Sequence, residues 1–287
     1  VKQHTHNELR YNIGAGWSFG IPSINTDAHN HTLHLPGVGS YALSGSKILN
    51  YPLKDMTLKW TNSYHNGQFQ SDLALTFLNG TVYYFNEEGL LLAMVDRYDT
   101  AVTFKYVQNG EGWYPSEITD ADGRITTFSY TNIENGRLIT ITAPDKSQTI
   151  LTTQTLKSEN LDCILTNIRL ADGENIAFAY QEEMGYFNFS RLKEDQPLHF
   201  QLLNRVDYDS GAAVCYEYTG KQTNPGDFTR LDVYQAVRRY TLKSSEPNET
   251  CSETLYSYTG YSGSGGIHST TTTQKFPNGT QLYVYYK

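Results

Sequence analysis

Ile118-Thr-Asp120-Ala-Asp122-Gly123-Arg-Ile-Thr-Thr-Phe128-Ser-Tyr130, continued by Asn135-Gly136-Arg137-Leu138-Ile-Thr-Ile141-Thr-Ala-Pro144-Asp145, is the stretch from which the fold is read. Three short runs rich in Ile, Thr, Phe and Tyr are divided by Asp-Ala-Asp-Gly, by Asn-Gly and by Pro-Asp. β-Branched and aromatic residues fit a pleated, half-buried surface, and Asn-Gly or Asp-x-Gly supplies the positive φ that a short hairpin connection requires. The stretch therefore predicts a β-meander. Ile139 and Ile141 alternate with Thr140 and Thr142, while Thr126, Phe128 and Tyr130 fall on one side of their strand, so each strand has two unlike faces.

The same skeleton recurs: a turn residue, an aromatic five positions on and a tyrosine two further. Gly123, Phe128 and Tyr130 define it; Gly173, Phe178 and Tyr180 repeat it, as do Gly211, Tyr216 and Tyr218. Gly279, Val284 and Tyr286 carry valine in the aromatic slot, and Tyr256 with Tyr258 is a copy without its turn. Before Phe104 and Tyr106 the glycine slot holds Asp99, a residue that tolerates the left-handed conformation. Such self-similarity means one small unit stacked on its neighbours, none able to bury its apolar face alone.

Composition sets the outer limits. The chain has 287 residues and no compositional step that would mark a linker, so residues 1–287 read as one continuous body. Hydrophobic residues make up 38%, yet 23 tyrosines outnumber 12 phenylalanines, so much of the apolar surface carries a hydroxyl. A net charge of −8 with scattered basic residues argues against nucleic acid, which needs a clustered basic face. No apolar run approaches the ~18 residues of a membrane helix. Both ends read as cut from something longer.

From Ile24 to Leu92 short strands are expected at Leu33–Leu35, Tyr41–Leu43, Lys47–Leu49, Met56–Trp60, Leu73–Phe77 and Val82–Phe85. Residues 1–22 form an opening segment whose Gly14-Ala-Gly16-Trp17-Ser-Phe19-Gly20 reads as a loop pinning a Trp/Phe plug against a sheet end. Beyond Ile150 the pattern loosens, and residues 181–200 read as an irregular insertion, a short helix or an ordered loop. Ser262-Gly-Ser-Gly-Gly266 reads as a flexible insertion between strands.

Chemistry-bearing groups are few. Cys163, Cys215 and Cys251 are odd in number and lack a Cys-x-x-Cys spacing, against both disulfide scaffolding and structural zinc. His29 and His31 share a strand face in principle, and His4, His6 and His34 lie near in sequence, but exposed glycine-rich surroundings disfavour a metal site. Asp120, Asp122 and Gly123 begin like a calcium loop without its later carboxylates, so ordinary turn chemistry is the simpler reading. The doublets Glu87/Glu88 and Glu182/Glu183, read as strand neighbours, point to opposite sides and cannot pair as a glycosidase dyad. No Gly-x-Ser-x-Gly elbow is found. The chain is thus read as non-enzymatic, with no cofactor and no metal. The tyrosines remain: either they stack from hairpin to hairpin as a structural ladder, or rings such as Trp113, Tyr114, Tyr283 and Tyr285 offer platforms to a sugar or a protein.

Gly16-Trp17-Ser-Phe19, Phe85-Asn-Glu-Glu-Gly89-Leu, Ile118 to Tyr130 and Gly136-Arg137-Leu138 together resemble the RHS/YD-repeat proteins, a family that includes bacterial wall-associated and polymorphic toxins, insecticidal toxin-complex components and the teneurins. The resemblance covers Phe85 to Ile150 best, Gly14 to Pro22 next, and the rest faintly. It implies hairpins wound as a strip into part of a hollow shell that, in toxin members, encloses a C-terminal effector until delivery. On that reading this is a structural part of a secreted or surface-exposed bacterial protein, partnered by the remainder of its parent chain. The chain departs from the family in lacking an Asp-Pro-x-Gly segment at which such shells release cargo. The alternative is a cell-surface adhesin whose exposed tyrosines bind a glycan or a protein receptor.

Overall fold

A computed structural model of the chain describes residues 12–14, 16–27, 30–109, 112–158, 161–185, 198–223, 231–243, 250–261, 267–276 and 279–286. All regular structure among them is β, and the strands that pair are antiparallel. The chain forms two compact units, residues 2–153 and 154–287. The sequence reading expects a single body; the division falls inside the strand Gln148–Ser158, so no linker composition marks it.

In the N-terminal unit β1 (Asn12–Gly14) pairs with β2 (Trp17–Ser18). A small sheet follows, made of β3 (Ser23–Asp27), β4 (Asn30–Leu35), β5 (Gly39–Ser44) and β6 (Lys47–Ile48). A larger sheet then runs in chain order through β7 (Met56–Trp60), β8 (Leu73–Phe77), β9 (Val82–Phe85) and β10 (Leu91–Val95). It continues as β11 (Ala101–Asn109), β12 (Gly112–Thr119), β13 (Ile125–Ile133) and β14 (Gly136–Thr142), with β15 (Gln148–Ser158) next in the chain. The expected strands at Met56–Trp60, Leu73–Phe77 and Val82–Phe85 have those bounds in the fold.

The core of this unit lies between its two sheets. Ile24, Leu33, Leu35 and Leu43 of the small sheet pack with Met56, Leu58, Leu73, Leu75, Phe85, Leu90, Leu91, Phe104 and Tyr106. Period-two alternation selects the buried face: Met56 and Leu58 are covered while Thr57 and Lys59 are exposed. β10 is the exception, because Leu91, Leu92 and Ala93 are all fully buried, which explains its unbroken apolar sequence. The two layers meet most closely at Gly89. The Ile24 N–H donates to the Gly89 carbonyl at 2.9 Å. A Cβ on Gly89 would lie 1.9 Å from the Ile24 carbonyl oxygen, so the position requires glycine for contact as well as for its φ of 77°.

The C-terminal unit continues antiparallel in chain order through β16 (Leu161–Arg169), β17 (Asn175–Gly185), β18 (Leu198–Tyr208) and β19 (Ala213–Thr223). β20 (Leu231–Leu242), β21 (Thr250–Tyr261), β22 (Ile267–Phe276) and β23 (Gly279–Tyr286) complete it. Residues 181–185 and 198–200, expected in an irregular insertion, are strand, pairing from Gln181↔Leu202 to Gly185↔Leu198. Alternation is hard to see there because polar residues take part in the sheet; residues 186–197 and the Ser262–Gly266 tract lie outside the described residues. The looser pattern beyond Ile150 likewise corresponds to long strands whose polar groups pair across the sheet. Arg238 on β20 bonds Glu217 on β19 at 2.7 Å and Glu253 on β21 at 2.5 Å, and its guanidinium lies 4.3 Å from the Tyr240 ring. These bonds to Glu217 and Glu253 hold the Arg238 guanidinium above its ordinary range against the opposing effect of desolvation, the largest single influence on it.

Candidate functional site

The repeat skeleton is the one constellation in the sequence that the fold brings into a common geometry. At Gly123 the Asp120 N–H donates to the Arg124 carbonyl at 3.0 Å and the Gly123 N–H to the Asp120 carbonyl at 3.0 Å, with φ of 79° at Gly123. This is a type I turn closed by a left-handed residue. The same pair of bonds closes the turns ending at Gly173 and Gly211, both with positive φ. Asp99 stands in for glycine at φ 68°, as its place in the skeleton predicts. The Asp120 carboxylate accepts the N–H groups of Asp122 and Arg124 and the Arg124 guanidinium, and the backbone bond from Arg124 does most to hold it below the usual carboxylate range.

Beyond each turn the ladder stops early. β12 and β13 pair only from Thr119↔Ile125 to Glu117↔Thr127, three rungs. β10–β11, β16–β17 and β18–β19 have the same depth, ending at Ala93↔Thr103, Asn167↔Ala177 and Arg205↔Cys215. On its other side the second strand of each pair goes far further: seven rungs for β11–β12 and β13–β14, ten for β17–β18 and eleven for β19–β20.

The tyrosine of the skeleton sits three residues past the last short rung and closes the gap. Tyr130 Oη donates to the Pro115 carbonyl at 2.7 Å, Tyr180 to Leu165 at 2.8 Å, Tyr218 to Leu203 at 2.7 Å and Tyr106 to Leu91 at 2.7 Å. In all four the acceptor lies 15 residues back. Three of the tyrosines, Tyr106, Tyr180 and Tyr218, follow a register shift in the long ladder, which re-aims the side chain toward the short one. Burial, with Tyr114 alongside, pushes the Tyr130 phenol well above the ordinary tyrosine range; burial does the same more mildly for Tyr218.

A further copy escaped the skeleton. Lys146 closes a turn of the same kind at φ 71°, and Thr153 donates through Oγ1 to the Arg137 carbonyl at 3.2 Å. Its signal was the Pro144-Asp145 pair, but neither glycine nor tyrosine marks it.

The remaining sequence-predicted residues fall as follows. Trp17 is half-buried in β2, and Phe19 beside it meets Phe128 edge-on at 5.3 Å, so the expected plug rests on β13 through its phenylalanine. Gly136 does not occupy the turn: Glu134 and Asn135 do, and Gly136 opens β14 opposite Ile133. Phe178 and Tyr216 lie on one face of neighbouring rungs, linked by the register Phe178↔Val206↔Val214. Trp113 and Tyr114 are half-buried against Phe69 and Tyr130, so neither is a free platform. Trp60 at 60%, Tyr98 at 72% and Tyr208 at 41% are the exposed large rings among the described residues. Glu87 and Glu88 belong to a tight turn and not to a strand. His34 Nδ1 lies 2.8 Å from Ser40 Oγ, and no group of three or more His, Cys, Asp or Glu among the described residues is placed to hold a metal. His4, His6, His29, Tyr283 and Tyr285 lie outside the residues whose side chains are described.

No protein-family model matches this chain, and no curated protein matches its sequence.

Proposed function

We propose that the chain is a structural segment of an RHS/YD-repeat-type shell in a secreted or surface-exposed bacterial protein, where it encloses or displays a C-terminal effector. One observation carries the reading: four tyrosines at one place in the repeat each fasten a hairpin to its neighbour by the same hydroxyl-to-carbonyl bond. A repeated fastening of this kind extends a sheet strand by strand without converging side chains on one point, which is what a wall needs and a reaction centre does not. The test is protease protection in the parent protein. An enclosed C-terminal segment resists trypsin while the β region is intact and is cut once that region is opened; cleavage at the rate of the isolated segment would overturn the proposal.

A second reading, a glycan- or protein-binding adhesin, is favoured by the exposed rings of Trp60 and Tyr98, the latter with the Arg97 guanidinium 4.7 Å from its centroid. Glycan-array binding lost in Trp60→Ala and Tyr98→Ala would support it, and an array without signal would remove it.

A further inference from the structure

From β10 to β14 and from β16 to β20 short and long ladders alternate, so these strands group into pairs. β11–β12, β13–β14, β17–β18 and β19–β20 are joined by seven rungs or more, whereas three rungs and one tyrosine bond connect β10 to β11, β12 to β13, β16 to β17 and β18 to β19. We infer that each three-rung interface is a line along which the sheet opens, with its tyrosine as the latch, and that the lines open in a fixed order. Local opening follows supersecondary units, and an interface with fewer backbone bonds and fewer packed neighbours opens at lower cost.

The order comes from what reinforces each line. At β10–β11 the connection between β7 and β8 bonds the backbone where the ladder stops: Asn66 Nδ2 donates to the Phe104 carbonyl at 2.6 Å, and the Gln68 amide both donates to the Tyr106 carbonyl at 2.7 Å and accepts the Tyr106 N–H at 2.9 Å. Tyr106 itself is 3% exposed. That line is the strongest. At β12–β13 the reinforcement is aromatic: Tyr114 lies 5.4 Å from Tyr130, Arg137 lies 5.3 Å over Tyr114, and Phe19 covers Phe128. At β18–β19 the residue between the last rung and the latch acceptor is Asn204, whose Oδ1 is buried without a hydrogen-bond donor. A buried acceptor left unpaired favours the open form, in which water reaches it, so this line opens first. The latch does not depend on the shell reading, because it follows from the ladders alone.

Hydrogen–deuterium exchange on the intact chain tests both parts. In the unaltered protein, peptides covering 205–207 and 213–215 exchange fastest among the three lines ranked here, those at 117–119 and 125–127 are intermediate, and those at 93–95 and 101–103 are slowest. Removing one hydroxyl with Tyr218→Phe speeds exchange at 205–207 and 213–215 by about tenfold, the effect of one lost hydrogen bond, and leaves unchanged the peptides covering 219–223 and 231–235, on the β19–β20 ladder beyond the latch. Asn204→Leu, which removes the unpaired acceptor, slows exchange at the same line. Equal exchange across short and long ladders, or a β10–β11 line as labile as β18–β19, would overturn the inference. Because the ranking is read in the unaltered protein, a variant that fails to fold does not decide the matter.

Discussion

The two units build sheets of the same hairpins but hold them differently. The N-terminal unit lays a small sheet over a large one and buries Phe85, Leu75, Leu90 and Leu91 completely between or beside them. In the C-terminal unit the buried apolar side chains among those described are few, Ile164, Leu165, Val206, Ala213 and Cys215, and Arg238 bridges the neighbouring strands through Glu217 and Glu253 instead. The turn, the three-rung ladder and the tyrosine bond occur in both. The joint between hairpins is therefore independent of what covers the sheet, and the same short sequence skeleton can be reused wherever another hairpin is added.

Substitutions at two turn glycines give the largest expected contrast. Gly89 and Gly173 have similar left-handed conformations, φ 77° and 95°, but a Cβ on Gly173 would meet nothing within 4 Å. Gly89→Ala should cost on the order of 3 kcal/mol, through overpacking against Ile24 added to the conformational cost, and Gly173→Ala about 1 kcal/mol. Denaturant unfolding measures both. Equal losses would mean that the two layers of the N-terminal unit do not meet at Gly89.

Ionic cohesion gives a smaller contrast. Arg238→Met should cost about 1 kcal/mol at low salt and less at about 1 M salt, because the guanidinium spans two carboxylates at a partly buried position. Lys105→Met removes a single exposed pair with Glu117 and should cost less than about 0.5 kcal/mol. A salt-independent loss at Arg238 would assign its role to packing.

Titration reports on two of the joints. The Tyr130 and Tyr218 phenols are raised in the folded state, so their contribution to stability is intact below the unfolded value of about 10 and is lost as pH rises from there through the folded value. Absorbance at the tyrosinate band should show a late component that Tyr130→Phe diminishes, with Tyr51, pushed up to about 12 by its bond to Asp55, titrating late beside it. The smallest effect is at the turns. Asp120 and Asp145 are lowered, Asp120 by its backbone bond from Arg124 and Asp145 by the Ser147 hydroxyl. Their contribution is present above about pH 4 and disappears as pH falls through the lower folded values, which amide exchange at Asp122, Arg124 and Ser147 would register.

Much of this architecture was readable from residue order, for physical reasons that also mark where reading stopped. A turn needing positive φ restricts its last residue, so Gly123, Gly173, Gly211 and even Asp99 announced themselves. A tyrosine whose ring must reach a fixed carbonyl keeps a fixed distance from that turn, so Tyr106, Tyr130, Tyr180 and Tyr218 were found together. The partner of the bond was not legible, because any residue can supply a backbone carbonyl: Leu91, Leu165 and Leu203 do so, and Pro115 does so equally. The ring-to-backbone fastening is an interaction that the expected ring-to-ring ladder did not include. The repeat turns lie at the short ladders, and the long ladders lie between them. Strand is not legible at residues 181–185 because Gln181, Glu182 and Glu183 obscure the period of two, and Leu198-His-Phe200 is too short a run to mark the start of β18 by itself.

Four tyrosines serve one structural purpose, and calorimetry of five single variants tests that most directly. Tyr106→Phe, Tyr130→Phe, Tyr180→Phe and Tyr218→Phe should each lower stability by a similar amount, about 1 kcal/mol, for one lost hydroxyl bond to a buried carbonyl. Tyr216→Phe, on the same face as Tyr218 but in the aromatic slot of the repeat, should change it by less than about 0.3 kcal/mol, as for a hydroxyl that makes no bond within the fold. Losses that scatter among the four, or that Tyr216→Phe matches, would contradict the claim that the sheet is fastened joint by joint.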